Sequence, residues 1–358
     1  MSQLNELGFY TLAGAPQSPS ELFEEVAEAE DQGLGSAFIS ERFNIKEAVT
    51  LSGAVGAASR TLGIATAATN HNTRHPAVLA SYATTMHRLT GGRFTLGLGR
   101  GIAPLFSAYG IPPITTAQME DVAGLLRRLF RGELVLGHDG PAGSYPVLHL
   151  DSSFDEDIPL GLVAFGPRTL ALAGRAFDMV VLHTFFTDET TARAVDTVRR
   201  AAEEAGRDPS AVRVWSCFAT VGDHLPHEVR LKKTVGRLGT YLQGYGDLMV
   251  ATNRWDPDVL ARFRKDEVVT SVPGAIDAKA DTATLEHIAK LLPEEWLEPA
   301  ATGSPPRCAE RVLRQFDLGV DGVIMHGATP SELAPVVDAY RPRRPAGRFD
   351  ALDPNPGR

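Results

Sequence analysis

The stretch AFGPRTLALAG places Gly166 and Pro167 where an apolar run ends, and Arg168 and Thr169 in the first turn of the helix that follows. Free backbone N–H groups, the positive helix end and a guanidinium together make a seat for an anion such as a phosphate; the same residues also make an ordinary turn and helix start. GLGRG (97 to 101) is too short for dinucleotide binding, because Ile102 stands where the GxGxxG spacing needs its third glycine. Gly99 and Gly101, on either side of Arg100, instead let backbone approach a ligand or make a turn. Glu41 and Arg42, in SERF after Ser40, are either an ion pair or a proton carrier with its partner. His71 and His75 stand four apart, the spacing of a helical metal pair. Pro76 keeps the preceding residues from being helical and no HExxH glutamate is present, so no metal is expected. His183, Thr184 and His326 complete the polar groups that follow apolar runs.

These groups need elements to hold them, and the chain repeats one pattern: a short apolar run, then an amphipathic helical window. LGFYTL precedes SPSELFEEVAEAEDQG, in which Ser18 caps, Pro19 takes the first helical position, Glu21 completes a capping box and Gly33 stops the helix. SAFIS, LGIATAAT, FTLGLG, PLGLVAF, MVVLHT, VRVWSCFATV and DGVIMHG continue the series to eight. Eight parallel strands with crossover helices imply a closed (β/α)₈ TIM barrel more than an open sheet, with functional groups at the strands' C-terminal ends. The barrel is expected to be one domain over residues 1–340. Insertions at about 132–157, after strand four, and 222–305, after strand seven, are candidate lids or walls; Tyr241, Tyr245 and Trp255 of the second are either pocket or core. Residues 341–358, rich in Pro, Gly and Arg without apolar period, read as a flexible tail.

With 358 residues, 43% hydrophobic and 22% charged, the chain can bury a large core, and a net charge of -9 argues against a general nucleic-acid or anionic-membrane binder. Two distant cysteines, Cys217 and Cys308, support neither a disulfide framework nor structural zinc. With no leader pattern and no long apolar window, a soluble cytoplasmic protein is expected.

The polar run TNHNTRHP (69 to 76) is longer than a surface turn needs. In LGIATAATNHNTRHPAVLASYATTMHRLTGGRFTLGLGRG, Arg74, His75, Pro76, Ala80, Leu89, Gly92, Arg93, Leu96, Gly97 and Gly99 match the hallmark of the bacterial-luciferase-like family, and the chain resembles that family over most of its length. The resemblance implies a (β/α)₈ barrel that binds reduced FMN for oxygen chemistry or the deazaflavin coenzyme F420 for hydride transfer. AATNHNTRHP is most similar to the F420-dependent branch. It implies a non-prolyl cis peptide at Ala67–Ala68 against the deazaflavin ring, cofactor contacts from Ser40, Ala67, Ala68, Thr69, Asn70, Gly99, Arg100 and Gly101, and the cofactor phosphate on Gly166, Pro167, Arg168 and Thr169. A homodimer is also implied. SERF departs from the Asp-His of many members, so the catalytic acid does not transfer. Glu41, then His183, are the expected proton carriers. The expected function is F420-dependent hydride transfer to or from a small organic substrate. The alternatives are an FMN-dependent monooxygenase and a barrel that binds a flavin without catalysis.

Overall fold

The computed structural model describes residues 3–14, 16–43 and 45–358. Its strands are β1 (Leu4–Tyr10), β2 (Leu34–Ile39), β3 (Gly63–Thr66), β4 (Phe94–Leu98), β5 (Val135–Gly140), β6 (Gly143–Leu148), β7 (Leu160–Val163), β8 (Met179–Val181), β9 (Arg213–Gly222), β10 (Ala301–Gly303) and β11 (Gly322–His326). Parallel pairing runs β1-β2-β3-β4-β7-β8-β9-β11 and returns to β1, so eight strands close into the expected barrel. Every residue of β2 and β9 is buried, because one face meets the barrel interior and the other the helical ring. Phe38, Ala65, Met179, Trp215 and Ile324 fill the interior. The Ser18/Glu21 capping box is present, and Gly33, at φ 63°, ends that helix.

The first insertion differs from expectation. β5 and β6 form an antiparallel hairpin, but it follows the helix Thr116–Phe130 rather than a strand, so it packs on the outside of the barrel. Asp121 of that helix pins it, accepting from Ala142 N (2.9 Å) and pairing with His138 Nε2 (3.1 Å). No hairpin residue lines the cleft described below, and residues 132–157 are neither lid nor substrate wall.

The second insertion does cover the barrel mouth. β10 pairs alongside the end of β9 (Ala301 with Thr220) and roots a helical cap whose core includes Leu238, Leu242, Met249, Phe263 and Trp296. Trp255 stacks on Trp296 in that core, with centroids 4.5 Å apart, rather than lining a pocket.

Residues 341–358 are also unlike the loose tail expected. They close the N-terminal end of the barrel, where Arg213 donates to the carbonyls of Asp353 (3.1 Å), Asn355 (3.0 Å) and Arg358 (2.9 Å), and Trp215 Nε1 to that of Pro356 (2.8 Å). Asn355, fully buried, accepts from Thr95 Oγ1 and donates to the carbonyls of Gly92 (2.6 Å) and Phe94 (3.0 Å). The segment docks chiefly by polar pairing, with Phe349 buried against Phe316, which leaves no hydrophobic period.

Candidate active site

Two hollows at the C-terminal ends of the strands, of about 870 and 620 Å³, share Ser40, Ile102, Pro104, Val163, His183, Gly244 and Tyr245 as their common wall. They form one continuous cleft. Its deep half is floored by Ala67, Val163, Val181 and Cys217; its outer half runs past Ala68, Asn70 and Gly99 to Gly166 and Thr169. An apolar floor with polar groups at the edges is the usual form of a site for a flat organic ligand.

The loop after β3 forms the floor between the halves. The Ala67–Ala68 peptide is cis, as the resemblance implied. Neighbouring elements hold it on every side: Ala67 N donates to Ile39 O (2.7 Å), Tyr10 Oη to Ala67 O (2.9 Å), and Glu41 N to Ala68 O (3.0 Å). Thr69 N and Gly99 N bond Gly97 O and Thr69 O, and Asn70 Nδ2 donates to Gly99 O (2.8 Å), which fastens the loop to the end of β4. A Cβ on Gly99 would lie 2.8 Å from that of Ala68, so glycine is what lets the two strand ends meet here.

Glu41 sits behind this floor with its side chain 2% exposed. Its carboxylate accepts from Ala48 N (3.0 Å), Thr69 Oγ1 (2.8 Å) and Arg74 Nη1 (3.0 Å), while Arg74 also reaches Glu47. The length of TNHNTRHP follows from these contacts. Thr69 and Asn70 point inward to tie strands together, Arg74 reaches back to Glu41, and His75 caps the next helix by accepting from Ala77 N (3.2 Å).

His183 stands at the junction of the halves. Its Nδ1 lies 2.9 Å from the carbonyl of Thr184, which assigns the proton to Nδ1 and leaves Nε2 to accept from Tyr245 Oη at 2.8 Å. Burial lowers its pKa to about 4 against a smaller opposing effect of the Thr184 bond, so the ring is neutral at neutral pH. Tyr245 reaches it because the helix Arg237–Asn253 is kinked there, at φ -154° and ψ 36°, between Gly244 and Gly246. His326 is likewise held neutral, by burial and then by the Arg237 charge.

The structure brings Ser40, Ala67, Ala68, Asn70, Gly99, Arg100, Gly101, Gly166 and Thr169 to the cleft wall, with Glu41 at its edge. Thr69 is buried behind it. Pro167 and Arg168 do not line it: Pro167 turns to an adjoining hollow with Phe186 and Arg193, and Arg168 is exposed. Arg100 braces the following loop by bonding Ile114 O (3.3 Å) and Thr116 Oγ1. Sequence reasoning missed Tyr10, Lys46, Arg237 and Asp277. The spacing of Arg237, Tyr241 and Tyr245, four and four apart on one helix, was the available signal.

Residues 4–322 match the family model of the luciferase-like monooxygenases. The chain is 27% identical over 302 residues to 5,10-methylenetetrahydromethanopterin reductase of Methanolobus tindarius, covering 83% of this chain and 86% of that protein. A phthiodiolone/phenolphthiodiolone dimycocerosates ketoreductase of Mycobacterium sp. (strain JLS) is 33% identical over 179 residues, 47% of this chain and 46% of that one. Among solved structures, the coenzyme F420 dependent tetrahydromethanopterin reductase of Methanopyrus kandleri superimposes with TM-score 0.77 at 18% identity, covering 94% of this chain and 99% of that one. An F420-dependent secondary alcohol dehydrogenase with an F420-acetone adduct gives TM-score 0.69 at 17% identity over 96% and 100% of the two chains. On the family match, which takes in nearly the whole barrel, the chain belongs to the luciferase-like monooxygenase family.

Proposed function

We propose that this chain is an oxidoreductase that transfers a hydride between coenzyme F420 and a small organic substrate, the two lying side by side in the cleft. The observation that carries the reading is the cleft itself, one apolar floor that ends at an open helix N-terminus. The residues fit the cofactor: Ala67, Ala68, Val163 and Gly99 offer a flat apolar support for a tricyclic ring. Gly166 caps the helix Pro167–Ala176 with no side-chain bond of its own, and Thr169 stands on its first turn facing the cleft. The reductase and dehydrogenase named above, both described as F420-dependent, support the choice. When bound, the deazaflavin accepts or supplies the hydride at C5. The chain orients the ring, excludes water with its helical cap and, at the His183–Tyr245 pair, holds a proton at the junction of the two halves. Glu41, held by three donors, serves as a positioning residue for the floor rather than as the proton carrier.

A second reading, reduced FMN with oxygen, is favoured by neighbours such as a 3,6-diketocamphane monooxygenase component in complex with FMN, TM-score 0.61 at 18% identity. A barrel that merely carries a flavin would have no use for the roughly 870 Å³ left at the deep end. The exposed Leu136 and Val147 of the hairpin, with Leu134 just before it, support a homodimer. The two free, buried cysteines suit a reducing cytoplasm.

Thr169→Val removes the hydroxyl that would meet the cofactor phosphate. Fluorescence titration is expected to show F420 affinity reduced about tenfold with the denaturation midpoint unchanged. Wild-type affinity in this variant would take the helix end out of the site.

A further inference from the structure

Among the described residues three cations, Arg42, Lys46 and Arg237, line the deep half of the cleft, and Asp277 is the one carboxylate residue of its lining. We infer that this hollow is a subsite for an anionic group of the substrate, a carboxylate or a phosphate, gripped by Arg42 and Lys46 together with Arg237. The inference rests on the reading of the deep half as substrate space.

Arg42 and Lys46 are carried on one tight loop after β2, where Arg42 N bonds Lys46 O (3.0 Å) and Lys46 N bonds Arg42 O (2.8 Å). Among the described residues both heads donate to backbone carbonyls alone: Lys46 Nζ to Thr11 (2.6 Å) and Leu12 (3.3 Å), Arg42 Nη1 to Gly14 (2.9 Å). Carbonyls satisfy hydrogen bonds without neutralising charge. On the helix Arg237–Asn253, Arg237 pairs with Asp277 at 3.0 Å, but its buried Nε has no partner among the described residues, and Asp277 also accepts from Thr240 Oγ1 (2.8 Å). A five-residue π-helical stretch, Lys232–Gly236, immediately precedes Arg237, a distortion common where a helix serves a site.

Glu25 offsets the Lys46 charge in part, and the remaining ionisable groups add no further negative charge. Glu25 lies behind Leu12, whose N–H it accepts at 2.7 Å, and burial pushes its pKa up to about 7. Lys233 is already paired with Glu332 at 2.8 Å, and His183 and His326 are neutral. The cations also press on one another. Burial and then the Arg42 charge bring Lys46 down to about 8, and burial and then Arg237 lower Arg42, so an incoming anion relieves a repulsion already present. None of the three cations faces the outer half, and neither Gly166 nor Thr169 faces the deep half, so the cofactor's phosphate seat and this subsite are distinct.

The test is calorimetric titration of the full chain, without cofactor, using succinate and inorganic phosphate at matched ionic strength. Saturable binding of one or both is expected in the wild type and in Thr169→Val, with about tenfold weaker binding in Lys46→Met and in Arg237→Met. Succinate alone would mark a carboxylate substrate, and phosphate alone a phosphorylated one. No saturable binding of either, undiminished binding in Lys46→Met and Arg237→Met, or loss in Thr169→Val alone would overturn the inference. The two Met variants sit on different elements, the loop after β2 and the helix Arg237–Asn253, so misfolding of one leaves the other decisive. A separate F420 titration of the same variants, expected to match wild type, shows whether a failure belongs to the cofactor reading instead.

Discussion

Arg74→Met is expected to destabilise the protein by about 3–5 kcal/mol and to abolish tight cofactor binding, because it leaves the Glu41 carboxylate buried without its counter-charge. Arg74 is 15% exposed at its side chain and serves Glu41, Thr69 and Glu47 together, joining the loops after β2 and β3 at the floor of the cleft. Lysine cannot replace it, since one ammonium cannot span the three acceptors that the guanidinium fork reaches, so Arg74→Lys is expected to recover little. Glu41→Gln keeps an acceptor for Ala48 N or Thr69 and should lose less stability than Arg74→Met. Urea denaturation of the three variants checks this order. An unchanged midpoint in Arg74→Met would mean that the clamp does not hold the floor.

Removing residues 349–358 is expected to cost at least about 5 kcal/mol, enough to leave the barrel unfolded or aggregated in an ordinary preparation. Arg213, 4% exposed, would lose three of its four carbonyl partners and keep Asn5 O, and Trp215 Nε1 and Thr95 would lose theirs. Asn355→Ala is the milder form of the same test. It strips partners from Thr95, Gly92 O and Phe94 O and should lower stability by about 2–4 kcal/mol in denaturant melts. A stable truncated barrel would show that its N-terminal end needs no plug.

The barrel was legible because each βα unit states itself locally. Apolar strands, the Ser18 cap and the Pro19 start are set by neighbours within a few residues, and the periodicity changes from 2 to 3.6 at each helix. The tail was not legible, since its docking depends on the Arg213 guanidinium and the barrel's own carbonyls rather than on apolar spacing. The hairpin was misplaced because strand and turn signals say nothing of which face the preceding helix presents. At the site, Gly166 and Thr169 could be found from a strand end and a helix start, whereas Arg168 beside them points to solvent: residue type marks the turn, and only the helix phase decides which side chain enters the cleft. Glu41 was read as chemically active from its position after β2. Its three partners come from Ala48, Thr69 and Arg74, and the tertiary fold is what makes it a brace. Arg237 and Tyr241 arrive from the insertion, where sequence position carries no strand-end rule.

Side-by-side fluorescence titration of the purified chain with coenzyme F420 and with FMN tests the proposed activity most directly. Saturable F420 binding in the micromolar range is expected, with FMN binding at least about tenfold weaker. Selective binding of FMN, or binding of neither, would contradict that activity.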